Sequence, residues 1–377
     1  MENTSPASTY VLFYHANCTD GLMASAIAHS YLPDAHSVPI NYDSHEVSPD
    51  DYVQRLATIV AKENSGLAFT PNMRVYFLDF CPKPDQIRAM LNSGYAVTIV
   101  DHHKSAYRDF CDTVGIDGFD DFNPRLSVDA PDLSCDGWKG FAVDGLAYLY
   151  CESDSGALMT YKLFQWMVLG LLTPDEATEE ILTVPNYVKW VSDRDLWKFE
   201  YPETKVFDAG MSLYKQIQPG FLIRHIETTG VDTILAEGKA VLAANEAYVR
   251  SHVPRIKTVV TVTRVMFGTP TLVPFQKDGL EVVRIAMYNC THLASELCAG
   301  YFESQNEVHV MIAYTIIGQD EVICQMRSRA GYPVNFIAEM FGGGGHENAC
   351  AFTITMTELL HALETSDLIA PSPVTDS

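Results

Sequence analysis

Residues 97–105 read VTIVDHHKS. The first four, largely β-branched, suit the inside of a pleated sheet. They run directly into Asp101, His102 and His103, three ionisable groups in a row. A buried strand that ends on such groups holds them rigidly at the edge of a sheet. The same sentence structure recurs upstream. TYVLFYH (9–15) is an apolar strand ending at His15, and VYFLDF (75–80) is one ending at Asp79.

Helical spacing of apolar residues lies between these strands, at 20–32 and 84–93. The β-α-β rhythm predicts an α/β fold: a parallel sheet with helices on both faces. Ligands of such sheets sit beyond the carboxyl ends of the strands. His15, Asp20, Asp79, Asp101, His102 and His103 are therefore expected to converge. Imidazole and carboxylate donors together suit Mn²⁺, Fe²⁺ or Zn²⁺. With few thiols near, a hydrolytic Mn²⁺ or Mg²⁺ centre is expected rather than structural zinc. The bland alternative makes each residue a helix cap or a satisfied buried histidine; three coincident strand ends weigh against it. Asp20 and Asp79 can cap helices and bind metal at once.

WVSDRDLWKF (190–199) ends a helix on Asp193, Arg194 and Asp195. One carboxylate can complete a metal site while Arg194 pairs with the other; a surface ion-pair cluster is the competing reading. Residues 109–145 break the rhythm with many aspartates among Gly and Pro. They read as an acidic excursion, since no D-x-D-x-D-G calcium spacing is present. Helices are expected near 155–170, 174–192 and 232–252.

From 257 the pattern changes. KTVVTVTRVMF, EVVRIAMYN, VHVMIAYTII and EVICQMRS read as strands, with helices near 291–300, 334–341 and 356–366. The expected organisation is a metal-binding domain over 9–240, a smaller α/β domain with a mixed sheet over 257–366, and a mobile tail over 367–377. MFGGGGHENACAF (340–352) places Gly342, Gly343, Gly344 and Gly345 before His346. Lacking Cβ, such a run lets backbone N–H groups approach a ligand. Arg327 and Ser328, ending a strand just upstream, suit a bidentate phosphate contact.

The 377 residues are 47% hydrophobic and 19% charged, with a formal charge of -23. Such acidity excludes a broad basic face for long duplex DNA, while a small anionic substrate can still be held by a metal and local cations. Nine cysteines, without a C-x-x-C pair, read as reduced thiols. With no evident signal peptide and no membrane-length apolar run, a cytoplasmic protein without membrane contact is expected.

The order H…DG, a strand-end Asp, DHH, a later Asp, then R-S and GGGGH resembles the DHH phosphoesterase superfamily with its DHH-associated C-terminal domain. The likeness runs over roughly residues 9–355. HANCTDG and DRDLW look most like the small-nucleotide branch, the nanoRNases and cyclic-nucleotide phosphodiesterases. The resemblance implies a hydrolase cutting short oligonucleotides or small nucleotides, commonly with two Mn²⁺ ions, Mg²⁺ or Co²⁺ being alternatives. It implies His15, Asp20, Asp79, His102 and Asp193 as metal ligands, with Asp79 bridging. It implies His103 facing the scissile phosphate and Asp101 orienting a histidine. Arg327, Ser328, Gly342 to Gly345, His346 and Asn289 would form the substrate-binding edge. Other readings are a phosphatase for pyrophosphate, polyphosphate or nucleotide monophosphates, and a protein that sequesters a nucleotide without cutting it. The acidic charge disfavours a processive exonuclease of the RecJ type. The apolar strands of the second domain make a homodimer an expectation.

Two departures stand out. The first motif keeps only Asp20, with Asn17 and Cys18 where a second carboxylate is usual; a weaker metal site is expected at His15, with Asn17 in the carboxylate's place. Ala351 stands where Gly often follows the glycine run, a change expected to affect loop freedom.

Overall fold

The computed structural model describes residues 9–114, 138–143, 145–169, 183–256, 258–262, 283–364 and 367–368. Most of the acidic excursion, the start of the helix expected at 174–192, the strand expected beyond 262 and the tail beyond 368 lie outside the described residues. The chain divides into two compact units, Met1–Val241 and Leu242–Ser377.

The first unit is built on strands β1 (Tyr10–His15), β2 (His36–Ile40), β3 (Arg74–Leu78), β4 (Ala96–Asp101), β5 (Trp138–Val143) and β6 (Leu146–Cys151). Their order is β2-β1-β3-β4-β6-β5. All pairs are parallel except β5 with β6. The chain steps from β1 outward to β2, then returns to the other side of β1 as β3. This is a topological switch point, where a crevice opens beyond the strand ends.

Alternation along each strand feeds two cores. Leu12, Tyr76, Leu78 and Val100 pack with α1 (Thr19–Tyr31). Joining them are α5 (Gly156–Leu169), α6 (Asn186–Asp195), α7 (Thr204–Met211), α8 (Pro219–Thr229) and the first half of α9 (Val231–His252). Val11, Phe13, Val75, Phe77, Val97 and Ile99 pack with α2 (Pro49–Glu63), α3 (Pro84–Asn92) and α4 (Lys104–Val114) on the other face. Burial on both faces explains why these strands read as near-continuous apolar runs.

The second unit is a mixed sheet of β7 (Thr258–Val262), β8 (Val283–Asn289), β9 (Val310–Ile317), β10 (Glu321–Ser328), β11 (Gly344–His346), β12 (Ala349–Thr355) and β13 (Asp367–Leu368). The order is β11-β12-β10-β9-β8-β7-β13, and β8 with β9 is the parallel pair. Helix α10 (Ala294–Ser304) packs on one face. Helices α11 (Asn335–Met340) and α12 (Met356–Glu364) pack on the other. The tail does not begin free: Asp367 and Leu368 pair with Thr261 and Val260 as an edge strand.

Candidate metal centre

The three strand ends meet at the switch point. Asp79 follows β3 in a left-handed backbone conformation, φ 57°, a region that costs a non-glycine residue and that clusters at functional sites. The turn aims its buried carboxylate at the neighbouring strand ends. Oδ1 lies 3.1 Å from His102 Nε2, and Oδ2 lies 3.6 Å from His15 Nδ1. His15, Asp79 and His103 offer donor atoms within 4.8 Å of one another, and so do Asp20, Asp79 and His102. Asp79 belongs to both groups, the position a carboxylate shared by two ions would occupy.

Asp20 is fixed by another helix, not by its own. Its Oδ1 accepts from the Ser155 hydroxyl at 2.6 Å and from the Ala157 N–H at 3.1 Å, capping the start of α5. The Asp20 Oδ2 atom is buried without a hydrogen-bond partner, as are Asp79 Oδ2, Asp101 Oδ2 and His15 Nδ1. Buried acceptors left unpaired are costly, and a cation would satisfy them. The mixed oxygen and nitrogen donors suit a divalent ion of the Mn²⁺, Mg²⁺ or Co²⁺ kind. The residues present therefore fit a metal.

Electrostatics agree. Burial and the charges of Asp79 and Asp195 push the Asp20 carboxyl well above the usual carboxylate range. For Asp79, burial acts upward, but the hydrogen bond from His102 and the nearby imidazoles of His15 and His103 outweigh it and hold it low. Burial disfavours the charged His102 ring, yet its bond to Asp79 and the charges of Asp20, Asp79 and Asp195 push it up to about 10. A proton on His102 sits among carboxylates, the local demand for positive charge that a metal would meet. Asp101 Oδ1 lies 2.7 Å from His103 Nδ1, fixing that ring. Despite burial, this bond and the Asp101 charge raise the His103 value.

One expected ligand is elsewhere. The Asp193 carboxylate accepts from the N–H groups of Glu200 and Tyr201 and from the Thr204 hydroxyl. It ties the end of α6 to the start of α7. Asp195 stands by the centre instead, its Oδ2 3.2 Å from His102 Nε2. Residues two apart on a helix point in different directions, so only one can face His102. Arg194 pairs with neither; its Nε donates to Asp208 Oδ2 at 3.2 Å. The first-motif expectation also shifts. Asn17 is exposed, with φ 60°. The Cys18 thiol is pushed up by burial and by the charges of Asp79, Asp20 and Asp195, so Cys18 borders the centre.

Several contributors escaped the sequence reading. Ser155 and Gly156 lie just after β6, a further parallel strand to which the strand-end rule applies equally. A Cβ on Gly156 would lie 2.6 Å from Asp79 Cβ and 2.9 Å from Asp20 Oδ2, so the helix start must be bare there. Tyr42 packs its ring against His15, centroids 4.9 Å apart. Burial and the charges of Asp101 and Asp79 keep its hydroxyl protonated; no periodic signal marks it.

In the second unit, Arg327 donates to Ser295 Oγ at 2.9 Å and to the Met326 carbonyl. Ser328 Oγ accepts from Asn348 Nδ2. Backbone register puts positions 327, 349 and 346 in one row across β10, β12 and β11. Gly344, two residues from that row and opposite Ala351, lies on the same face. Asn289 does not join them: it pairs with Tyr314, three positions from the Arg327 row and so on the opposite face. Ala351 belongs to β12 rather than to a loop. Among the glycines, Gly343 and Gly345 are demanded by packing on β12, where a Cβ would meet the Ala351 carbonyl at 2.2 Å and the Ala349 carbonyl at 2.5 Å. Gly344 faces open space, so local packing does not require glycine there.

Residues 282–367 match the DHHA1 domain family. An uncharacterized protein of Acanthamoeba polyphaga mimivirus is 21% identical over 347 residues, covering 90% of this chain; the chain spans 66% of that protein's length. Among solved structures, the pGpG-specific phosphodiesterase PggH of Vibrio cholerae aligns with TM-score 0.40 at 11% identity, covering 94% of this chain and 95% of that one. Exonuclease RecJ bound to manganese aligns with TM-score 0.48 at 12% identity, covering 94% and 88%. The DHHA1 match in the second unit accompanies a DHH run at the end of a parallel strand in the first. These two features together support a likeness to the DHH phosphoesterase superfamily, with residues 282–367 as its DHH-associated C-terminal domain.

Proposed function

We propose that the protein is a metal-dependent phosphodiesterase of the small-nucleotide branch, hydrolysing short oligonucleotides or small nucleotides. The observation that carries this reading is Asp79, shared between two donor groups at the switch point of a parallel sheet. Its ligand set is His15, Asp20, Asp79 and His102, with Asp195 beside His102. Two Mn²⁺ ions are the preferred occupants, with Mg²⁺ or Co²⁺ as alternatives. Bound there, divalent ions would polarise a phosphoryl oxygen and acidify a water at neutral pH.

The protein's own groups do the rest. Asp101 fixes His103 through Nδ1 and favours its protonated form, so the ring can stabilise charge on the phosphoryl oxygens. Ser155 and the α5 N-terminus hold Asp20 so that one oxygen remains free for a cation. In the C-terminal domain, Arg327 would receive a phosphate, and bare Gly344 on the same face leaves room for the ligand. Ser328, Gly342, Gly343, Gly345 and His346 shape that edge. A chain of net charge -23 suits a substrate short enough to need no basic track.

The test is a substrate panel with Mn²⁺: two- to five-residue RNA, short DNA, cyclic dinucleotides, adenosine bisphosphate and pyrophosphate, with Asp79→Ala as control. The expected result is cleavage of the short nucleotides that falls to background in the variant. Turnover of pyrophosphate alone would favour a phosphatase. A nucleotide retained and recovered intact after denaturation would replace the enzyme reading with a sequestering protein.

A further inference from the structure

Helix α6 ends in a way that its fold alone does not call for. The Lys198 N–H donates to the Asp193 carbonyl and the Trp197 N–H to the Arg194 carbonyl, the paired bonds of a Schellman cap. The residue in the left-handed position of such a cap is usually glycine. Here it is Trp197, at φ 57°. Its ring gains little from burial, since the residue is 68% exposed. The other three tryptophans, Trp138, Trp166 and Trp190, are buried. Phe199 repeats the left-handed conformation two residues on, φ 53°.

The exposed ring is held in place. The Arg194 guanidinium carbon lies 4.4 Å from the Trp197 ring centroid. The Phe199 ring meets it nearly edge-on, centroids 5.0 Å apart at 77°. Arg194 is itself anchored by Asp208. The residue is 68% exposed, so the indole presents much of its surface to solvent beside the Arg194 guanidinium. Two residues earlier stands Asp195, whose carboxylate is 3.2 Å from His102. Chain connectivity keeps the Trp197 and Asp195 Cα atoms within about 7.6 Å.

We infer that Trp197 is a stacking platform for a nucleobase of the substrate, with Arg194 and Phe199 fixing its plane. A rigid aromatic face attracts any base, and an adjacent guanidinium strengthens the stack. The inference rests on the phosphodiesterase reading and deepens it: the substrate must carry a base beside the phosphodiester that is cut, and the platform accepts that base with little regard to its identity.

The experiment compares wild type, Trp197→Gly and Trp197→Phe with Mn²⁺ on a ribodinucleotide and on the same dinucleotide made abasic. Glycine suits the left-handed cap, so Trp197→Gly should melt no lower than wild type. It should raise KM for the ribodinucleotide by about tenfold to a hundredfold, the size of one base–aromatic stack, with kcat held. Trp197→Phe should recover most of the loss, and the abasic compound should not distinguish the variants. Equal KM for the ribodinucleotide in wild type and Trp197→Gly would overturn the platform. If wild type cleaves nothing, the phosphodiesterase reading fails, and AMP titration decides the platform alone. Quenching of tryptophan emission that disappears in Trp197→Phe supports it; unquenched emission overturns it.

Discussion

Asp193 and Asp195 sit two residues apart and should fail in opposite ways. Asp193 accepts two backbone N–H groups and a hydroxyl. Burial acts upward on its carboxyl, but Thr204 and the N–H groups of Glu200 and Tyr201 hold it below the usual range. A depressed folded value contributes stability that is present above the ordinary carboxylate pKa and lost as pH falls through the folded one. Asp193→Asn should therefore cost about 1–3 kcal/mol at pH 7, and less in acid, by denaturant unfolding at several pH values; Mn²⁺ affinity should change little. Asp195 is raised by burial and by Asp79, so Asp195→Asn should leave the metal-free protein at least as stable while weakening Mn²⁺ binding by calorimetry. Equal effects of the two variants on metal binding would contradict this assignment. Cys18→Asp, which restores a carboxylate beside Asp20, should tighten Mn²⁺, whereas Asn17→Asp on the exposed side should not. The sequence narrowed the candidate later ligand to one short run, and the resemblance took Asp193 from it. The run itself does not choose between its two aspartates, because the choice depends on which carboxylate the turn into α7 captures.

Elements decide where those residues point. Strands β1, β3 and β4 were legible because both faces are buried, which writes their ends as abrupt changes from apolar to ionisable residues. Strand β2 was not: it is an edge strand, short and interrupted by Pro39. Strand β6 lies just beyond an acidic segment that masks its rhythm, and with it went Ser155 and Gly156. The N-terminus of α5 is the tightest seam in the centre. Gly156→Ala would drive a methyl into Asp79 and Asp20. Overpacking of this kind costs about 1–3 kcal/mol. The expected outcome is a lower denaturation midpoint together with loss of Mn²⁺ binding, and an unchanged midpoint would mean that α5 shifts freely. The α6 cap carries the reverse prediction. Relieving a left-handed tryptophan should stabilise the fold by about 1 kcal/mol, measurable as a raised midpoint for Trp197→Gly.

The whole chain was legible as α/β with a second, mixed-sheet unit, because helix and strand periods alternate in one half and strands dominate the other. The register inside that second unit was not legible. The resemblance sets Asn289 on one edge with the glycine run, but strand alternation turns it to the other face from Arg327. The eight described cysteines are all free, and no described helix is long and apolar enough to cross a membrane. At this scale metal is expected to act through mass action. An ion that binds the folded state alone raises the melting temperature with its concentration. Mn²⁺ should do so for wild type and not for Asp79→Ala. The span of the donors has a consequence for biosynthesis. His15 leaves the ribosome early, and Asp195 follows after roughly ten to forty seconds at ordinary elongation rates. Until α5 and α6 have docked, Asp20 lacks its anchor and His102 one of its flanking carboxylates, so a nascent chain has no complete cation site to fill. Metal capture is then a late, locking event: Mn²⁺ should slow unfolding while leaving the refolding rate unchanged in stopped-flow experiments. A refolding rate that climbs with Mn²⁺ would place the ion in the folding nucleus instead.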